Sequence, residues 1–299
     1  MKKILLFLVI LCCTSCSVVE RFTATKTPTQ TPTPEATETP MPTLTPTPPP
    51  SAAIVNGVYI WLDDYNAKRE QLRDAYSEIG EAIPADDALN QEVLNSLEDE
   101  TLFLAAAMRD GIAPDAGNLD ERINRLAESM GGMDALRAWQ NDNHYTEESF
   151  RRALEREVAA EKVKERLYAE KLPVIEQLHV YRISSDVRND LTEVQNNLGL
   201  GFAFETLAAN EGDETGGDMG WFPRGVLFYP ELEDVIFSLE AGSVSDIIEH
   251  EGTYSLFYVA EKQTGREMDA QVRQIVCHNL ISEWLANERN NASIELLIQ

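Results

Sequence analysis

The sequence predicts an α+β fold, with a mostly helical region followed by a region that contains both helices and strands. Three observations support this assignment. Apolar residues recur at helical spacing in successive segments between about 61 and 171. Alternating or β-branched stretches at about 176–183 and 254–262 predict strands. A glycine-rich run followed by a short helical pattern occupies 216–239, between those two strands.

Composition and charge limit the possible functions. A chain of 299 residues, 43% of them hydrophobic, suits about two domains and can bury a core. The formal net charge of −26 makes nucleic acid an improbable partner, because phosphate backbones are bound by positive charge. The same charge disfavours docking of the protein on an anionic lipid surface.

Residues 1–16 have the pattern of a targeting segment. Lys2 and Lys3 precede an apolar run from Ile4 to Cys13 that is too short to span a bilayer. The end of the segment resembles a bacterial lipobox, which implies a lipoprotein signal peptide and lipidation of Cys16. An ordinary signal peptide with incidental cysteines is the alternative. If Cys16 is lipidated, only Cys277 remains free, so no disulfide forms within the mature chain.

Residues 17–52 are predicted to be a disordered tether. Positions 24–50 are almost purely threonine, proline and glutamate, which cannot bury surface and favour extended polyproline II. Such a stretch could hold a domain about 80 Å from a membrane. A proline-rich ligand for another domain is the alternative interpretation.

Residues 53–173 are predicted to be a helical domain that opens with a hairpin. Asn56-Gly57 between apolar residues is typical of a tight turn. Asp86 and Asp87 suit the N-cap region of the second helix, whereas Thr146 with Ser149 is a poor capping box for the fifth. The five predicted helices cover about 61–81, 87–110, 118–130, 133–141 and 146–171.

The run Gly216–Leu239, GGDMGWFPRGVLFYPELEDVIFSL, carries a family resemblance. It resembles the GGDLGWF-x-RG-x-M-x-x-x-F-E-x-A-x-F-x-L signature of parvulin-type peptidyl-prolyl isomerases. The segment from Ala53 to Ile60 is similar to the start of the chaperone domain in SurA- and PrsA-like foldases. The resemblance implies a parvulin-like domain at 174–266 with a small, mainly antiparallel sheet.

The resemblance also implies a role for the C-terminal segment, 267–299. In such foldases a C-terminal helix returns to pack on the N-terminal helices and completes a SurA-like chaperone domain that binds unfolded polypeptide. An apolar stripe that includes Val276, Ile281 and Trp284 fits that expectation. The tail 292–298 has strand character and is expected to pair with 54–60. No site is assigned to Trp139, Tyr145 or Phe150, because core packing explains these aromatic residues equally well.

The resemblance implies an isomerase site whose polar residues have changed. The family has two facing histidines, and the aligned positions here hold Arg182 and Ser255. Asp213 takes the position of the family's aspartate. An alternative register would place His179 at the site, although in the preferred register His179 faces the opposite side of the strand. The residues expected to bind the proline side chain are apolar or aromatic: Trp221, Phe222, Leu227 and Leu232.

These features predict a membrane-anchored, extracytoplasmic protein-folding factor of a bacterium that binds unfolded or proline-containing segments of exported proteins. Peptidyl-prolyl cis/trans isomerase activity is the activity that the resemblance implies. The alternative is a holding chaperone with a degenerate isomerase site. A lipoprotein with another binding or adhesion function is a third hypothesis. No cofactor is expected, and the four histidines have no metal-ligand spacing.

Overall fold

A computed structural model describes residues 50–211, 216–227 and 229–298 of the chain. Residues 48–299 form one compact unit. The predicted signal segment with Cys16, nearly all of the predicted tether and the aspartate Asp213 lie outside the described residues. Phe228 lies outside them as well.

The N-terminal part is helical, as predicted. The hairpin turn has the left-handed backbone that Asn-Gly favours, with φ values of 50° at Asn56 and 83° at Gly57. Pro173 follows the last of these helices and lies in a 3-10 turn, Leu172–Val174. The elements before that turn are β1 (Ser51–Val55), β2 (Val58–Trp61), α1 (Leu62–Glu78), α2 (Asp86–Arg109), α3 (Ala116–Met130), α4 (Met133–Asp142) and α5 (Glu147–Lys171).

Two predicted helix caps differ from the observed ones. The N-cap of α2 is Ala85, so Asp86 and Asp87 lie in the first turn. Their negative charge there interacts favourably with the positive end of the helix dipole. Thr146 and Ser149 form a reciprocal capping box at the start of α5. The prediction of a poor box was wrong because the Ser149 hydroxyl reaches back to the Thr146 N–H, as a longer Glu or Gln side chain usually does.

The second part of the chain forms a five-stranded antiparallel sheet with three helices. Its strand order is β4-β3-β7-β5, and β6 also pairs with β7. The sequence analysis missed β4, which is formed by the glycine-rich start of the signature. The elements are β3 (Glu176–Ser185), α6 (Arg188–Gly199), α7 (Phe204–Glu211), β4 (Asp218–Pro223), α8 (Pro230–Ser238), β5 (Ser243–Val244), β6 (Ile248–His250) and β7 (Thr253–Thr264).

The C-terminal elements return to the helical part. Helix α9 (Ala270–Asn291) packs against α2 and α5, and the rings of Trp284 and Phe103 stack with centroids 4.6 Å apart. Strand β8 (Ile294–Leu296) pairs with β1 and completes a sheet of order β2-β1-β8. The predicted completion of the helical domain by the C-terminal helix is confirmed, and the observed α+β architecture matches the predicted one.

No helix within the described ranges is both long enough and apolar enough to cross a bilayer.

Candidate proline-binding site

The two faces of the five-stranded sheet carry separate apolar clusters. One cluster joins Leu178, Val180 and Phe257 of the sheet to Ile236 of α8. The other joins Ile183 and Leu256 to side chains of α6 and α7. Successive side chains of a strand point to opposite faces, so each side chain of β3 or β7 can be assigned to one cluster.

The β3–β7 register brings Arg182 and Ser255 to the face that α8 covers. Arg182 lies opposite Phe257, and Ser184 lies opposite Ser255. Phe257 belongs to the cluster that contains Ile236 of α8, which we call the α8 cluster. Arg182 lies opposite Phe257 and Ser255 lies two residues from it on the same strand, so both side chains project from that face too. The structure therefore brings together the two positions that align with the family's histidines.

Apolar side chains adjoin these polar groups. Phe222 is buried in the α8 cluster, and Leu227 and Leu232 pack against it while remaining partly exposed. Ile248 packs there as well and lies opposite Ser255 in the β6–β7 pair. Three of the four predicted proline-binding residues thus share one surface with Arg182 and Ser255, which we call the α8-face slot.

The polar groups of the α8-face slot are hydrogen-bond donors. Arg182 is exposed, and its Nη2 donates to the hydroxyl of Ser184 at 3.1 Å. Ser255 is buried, at 8% exposure. A guanidinium and two hydroxyls can hold a peptide carbonyl, although none of them is an imidazole.

The glycine pair before β4 fits tightly against Arg182. The Arg182 N–H donates to the carbonyl oxygen of Gly217 at 2.8 Å. Gly217 has a φ of 73°, and a β-carbon there would collide with the Arg182 carbonyl oxygen. Only glycine combines that backbone angle with so close an approach. This contact fixes Gly217 against β3.

Glu233 holds the loop that carries Leu227. No role was predicted for this glutamate from the sequence. Its carboxylate is buried and accepts backbone N–H groups from Gly225, Val226 and Leu227 at 2.8–3.0 Å. Three donors satisfy a charge that would otherwise be costly to bury. The parvulin signature did contain a hint of this role, because its glutamate aligns with Glu233.

Trp221 lies on the other face of the sheet, which differs from its predicted place among the proline-binding residues. It pairs with His179 across β3 and β4, and the two rings stack with centroids 5.4 Å apart. The guanidinium of Arg266 covers the indole at 4.4 Å. Side chains alternate along β4, so Phe222 and its neighbour Trp221 point in opposite directions. We therefore leave Trp221 out of the α8-face slot.

A separate cavity of about 720 Å³ lies in the helical part of the protein. Trp139 at its edge is 40% exposed. Its apolar lining comes from α2, α3, α4, α5 and α9 and includes Phe103, Leu126, Leu136, Trp139, Phe150 and Ile281.

The polar side of this cavity is a network of ion pairs. The Arg156 guanidinium contacts the buried carboxylate of Asp64 at 2.7 Å and that of Glu100 at 3.1 Å. Lys68 contacts Glu100 at 2.8 Å. Burial raises the pKa of Glu100, but Lys68 and Arg156 together outweigh burial and leave this pKa below its ordinary value.

No group of three or more potential metal ligands clusters within the described part of the chain.

Comparison with known protein families gives two matches. The model of the PPIC-type PPIase domain matches residues 177–261, and that of the SurA-like N-terminal domain matches residues 36–164.

Curated relatives carry the same names. Chaperone SurA of Pseudomonas putida is 24% identical over 282 residues, covering 83% of this chain and 65% of the relative. Foldase protein PrsA 2 of Bacillus cereus is 25% identical over 182 residues, covering 56% of this chain and 62% of the relative. The chain thus matches somewhat under two thirds of the length of these relatives.

Solved structures of similar proteins include PrsA of Bacillus cereus. It is 18% identical with a TM-score of 0.42, and the match covers 78% of this chain and 84% of that one. The chain thus has a SurA-like N-terminal domain followed by a parvulin-type PPIC PPIase domain.

Proposed function

We propose that this protein is an extracytoplasmic foldase that binds proline-containing segments of exported polypeptides in the α8-face slot. The observation that carries the proposal is the β3–β7 register, which sets Arg182 and Ser255 on the same face as Phe222, Leu227 and Leu232. The match to the PPIC-type PPIase domain adds support, because residues 177–261 include all of these side chains.

The slot has the two parts that prolyl isomerisation requires. Rotation of an X-Pro bond faces a barrier of about 18–20 kcal/mol from amide resonance, and the reaction needs no nucleophile or metal. Catalysis requires an apolar surface for the proline ring and polar groups that favour the twisted amide over both planar forms. Leu227 and Leu232 provide part of the first, and Arg182 and Ser255 provide donors. Asp213 is proposed to complete the polar edge.

Membrane attachment is the second part of the proposal. We place the lipid anchor at Cys16, with residues 17–52 as the tether that holds the folded part away from the bilayer. The lipobox-like end of the signal segment and the proline-rich composition support this arrangement. Globomycin treatment of producing cells, followed by mass spectrometry of the N-terminus, tests the anchor. Untreated cells are expected to yield lipid-modified Cys16 at the N-terminus, whereas treated cells should keep the segment 1–15 attached. An unmodified N-terminus in untreated cells would contradict the anchor.

Exchange spectroscopy on an Ala-Pro peptide tests the slot. We expect residues 51–299 to accelerate cis/trans exchange of the peptide, and an Arg182→His/Ser255→His variant to accelerate it further. Acceleration by the double variant alone would indicate a parvulin scaffold whose site has lost catalysis. Absence of both acceleration and binding by the wild-type protein would overturn the proposal.

A holding chaperone without catalysis is the second candidate function, and the cavity in the helical part favours it. Its aromatic and aliphatic lining, with Trp139 partly exposed, suits capture of apolar segments. Met130 lines the cavity together with Trp139. A Trp139→Ser/Met130→Ser variant is expected to suppress aggregation of an unfolded client less well than the wild type. Arg137→Ser, an exposed change on the same helix as Trp139, is the control. Equal suppression by all three proteins would contradict this function.

A further inference from the structure

Both aligned histidine positions of the slot hold other residues, yet one histidine stands on the same sheet face. His250 ends β6 and lies opposite Thr253 of β7, two residues from the pair of Ile248 with Ser255. Since alternate residues share a face, His250 lies next to Ile248 and Ser255 on the side that α8 covers. His179, by contrast, faces the other way, against Trp221.

One ring nitrogen of His250 lies near a carboxylate, and the other has no hydrogen-bond partner among the described residues. Nδ1 lies 3.3 Å from the Glu231 carboxylate at the start of α8. Nε2 is buried and has no hydrogen-bond partner among the described residues. The Glu251 carboxylate is 4.0 Å from Nε2, too far for a hydrogen bond. A buried polar atom in this state is costly, and a ligand that pairs with it recovers that cost.

An aromatic side chain, that of Tyr229, packs against the His250 ring. The Tyr229 ring lies 4.1 Å from the imidazole, centroid to centroid, and its hydroxyl donates to Glu251 at 3.0 Å. Tyr229 is 39% exposed and belongs to the segment between the Leu227 loop and α8. Rotation of the Tyr229 side chain would remove this ring from the imidazole of His250.

We propose that His250 supplies the imidazole that positions 182 and 255 no longer provide. Its Nε2–H donates a hydrogen bond to the carbonyl oxygen of the residue before the client proline, once the Tyr229 side chain has turned aside. The Glu231 carboxylate, 3.3 Å from Nδ1, orients the ring so that Nε2 lies at its other end. This inference rests on the proposed function, because it assigns a contact to a peptide already seated in the α8-face slot.

The test follows the His250 nitrogens in the full-length protein labelled with ¹⁵N-histidine. An Ala-Pro peptide is added in one titration and the matching Ala-Ala peptide in another, while the methyl signals of Leu227 and Leu232 report slot occupancy. We expect the Nε2 signal to move with Ala-Pro alone. Movement of the leucine methyls with an unchanged Nε2 signal would overturn the role of His250 and leave the proposed function intact. Unchanged methyls would overturn both.

Variants give a second readout. His250→Leu is expected to weaken Ala-Pro binding about 5-fold, whereas His250→Gln, which keeps a donor, recovers most of the affinity. His179→Gln, on the other face of the sheet, is the control and keeps wild-type affinity. Equal affinity of the wild type and His250→Leu would overturn the proposal. If His250→Leu fails to fold, the Nε2 signal of the wild-type protein decides alone.

Discussion

The carboxylate of Glu233 accepts the backbone N–H of Leu227 at 2.8 Å, so a buried side chain of α8 fixes the loop that carries a residue proposed to bind proline. The same carboxylate accepts the N–H groups of Gly225 and Val226. The shape of the α8-face slot thus depends on one glutamate that does not itself need to touch a client.

Replacement of Glu233 should damage both stability and peptide binding. We expect Glu233→Ala to lower the free energy of unfolding by about 2–4 kcal/mol, because three backbone donors lose their acceptor. Urea denaturation followed by tryptophan fluorescence measures this change. Asp234→Ala is the matched control, because its exposed ion pair with Arg224 should contribute less than about 1 kcal/mol. A loss as small as that of the control would show that the carboxylate does not hold the loop.

The two glycines Gly217 and Gly220 allow a paired test of the close approach to Arg182. They have nearly equal φ values of 73° and 72°, but a β-carbon meets the Arg182 carbonyl oxygen only at Gly217. Gly220→Ala should cost about 1–2 kcal/mol, the usual cost of a left-handed alanine. Gly217→Ala should cost clearly more, and it should also reduce peptide binding. Equal midpoints of thermal unfolding for the two variants would contradict the predicted collision.

The buried ion pairs beside the cavity should be sensitive to removal of one partner. Arg156→Met leaves the buried Asp64 carboxylate with Arg152 as its remaining cation, and we expect a loss of about 3–5 kcal/mol in unfolding free energy. Arg137→Met, whose ion pair with Asp134 is exposed, should change stability by less than about 0.5 kcal/mol. An Asp64→Asn/Arg156→Met double variant should lose less than the sum of the single changes.

The lowered pKa of Glu100 gives the pH dependence of stability a definite sign. A carboxylate whose pKa is lower in the folded state stabilises the fold above its unfolded pKa, near 4.5. That contribution is lost as the pH falls through the lower folded value. Unfolding free energy measured between about pH 6 and pH 3 should therefore fall less steeply for Glu100→Gln than for the wild type. Identical slopes would contradict this assignment. A third of the Glu100 side chain is exposed, so the difference should be modest.

Most helices and turns were predicted well, because residue spacing and turn chemistry within a short segment determine them. The Asn56-Gly57 turn, the helix periods and the return of α9 all follow from spacing, turn chemistry or the family resemblance. Strand β4 was missed, because its glycines weaken any strand pattern and its pairing partner, β3, is some forty residues earlier. The Thr146–Ser149 box was underrated because a hydroxyl replaces the usual longer side chain.

The site was harder to predict than the fold. The resemblance predicted Arg182, Ser255 and Leu232 as site residues and placed Trp221 beside Phe222. Neighbours along a strand do not share a sheet face, and Trp221 lies on the face opposite to Phe222. Register between distant strands decides which side chains meet, and no local pattern contains it. For the same reason the approach of His250 to Tyr229 could not be predicted from sequence alone.

The most direct test of the account is a methyl and indole NMR titration with Ala-Pro and Ala-Ala peptides. If clients bind in the α8-face slot, Ala-Pro alone should shift the methyl signals of Leu227 and Leu232, while the indole signal of Trp221 on the opposite face stays unchanged. Shifts at Trp221 with silent leucine methyls would contradict it and would place client binding on the other side of the sheet.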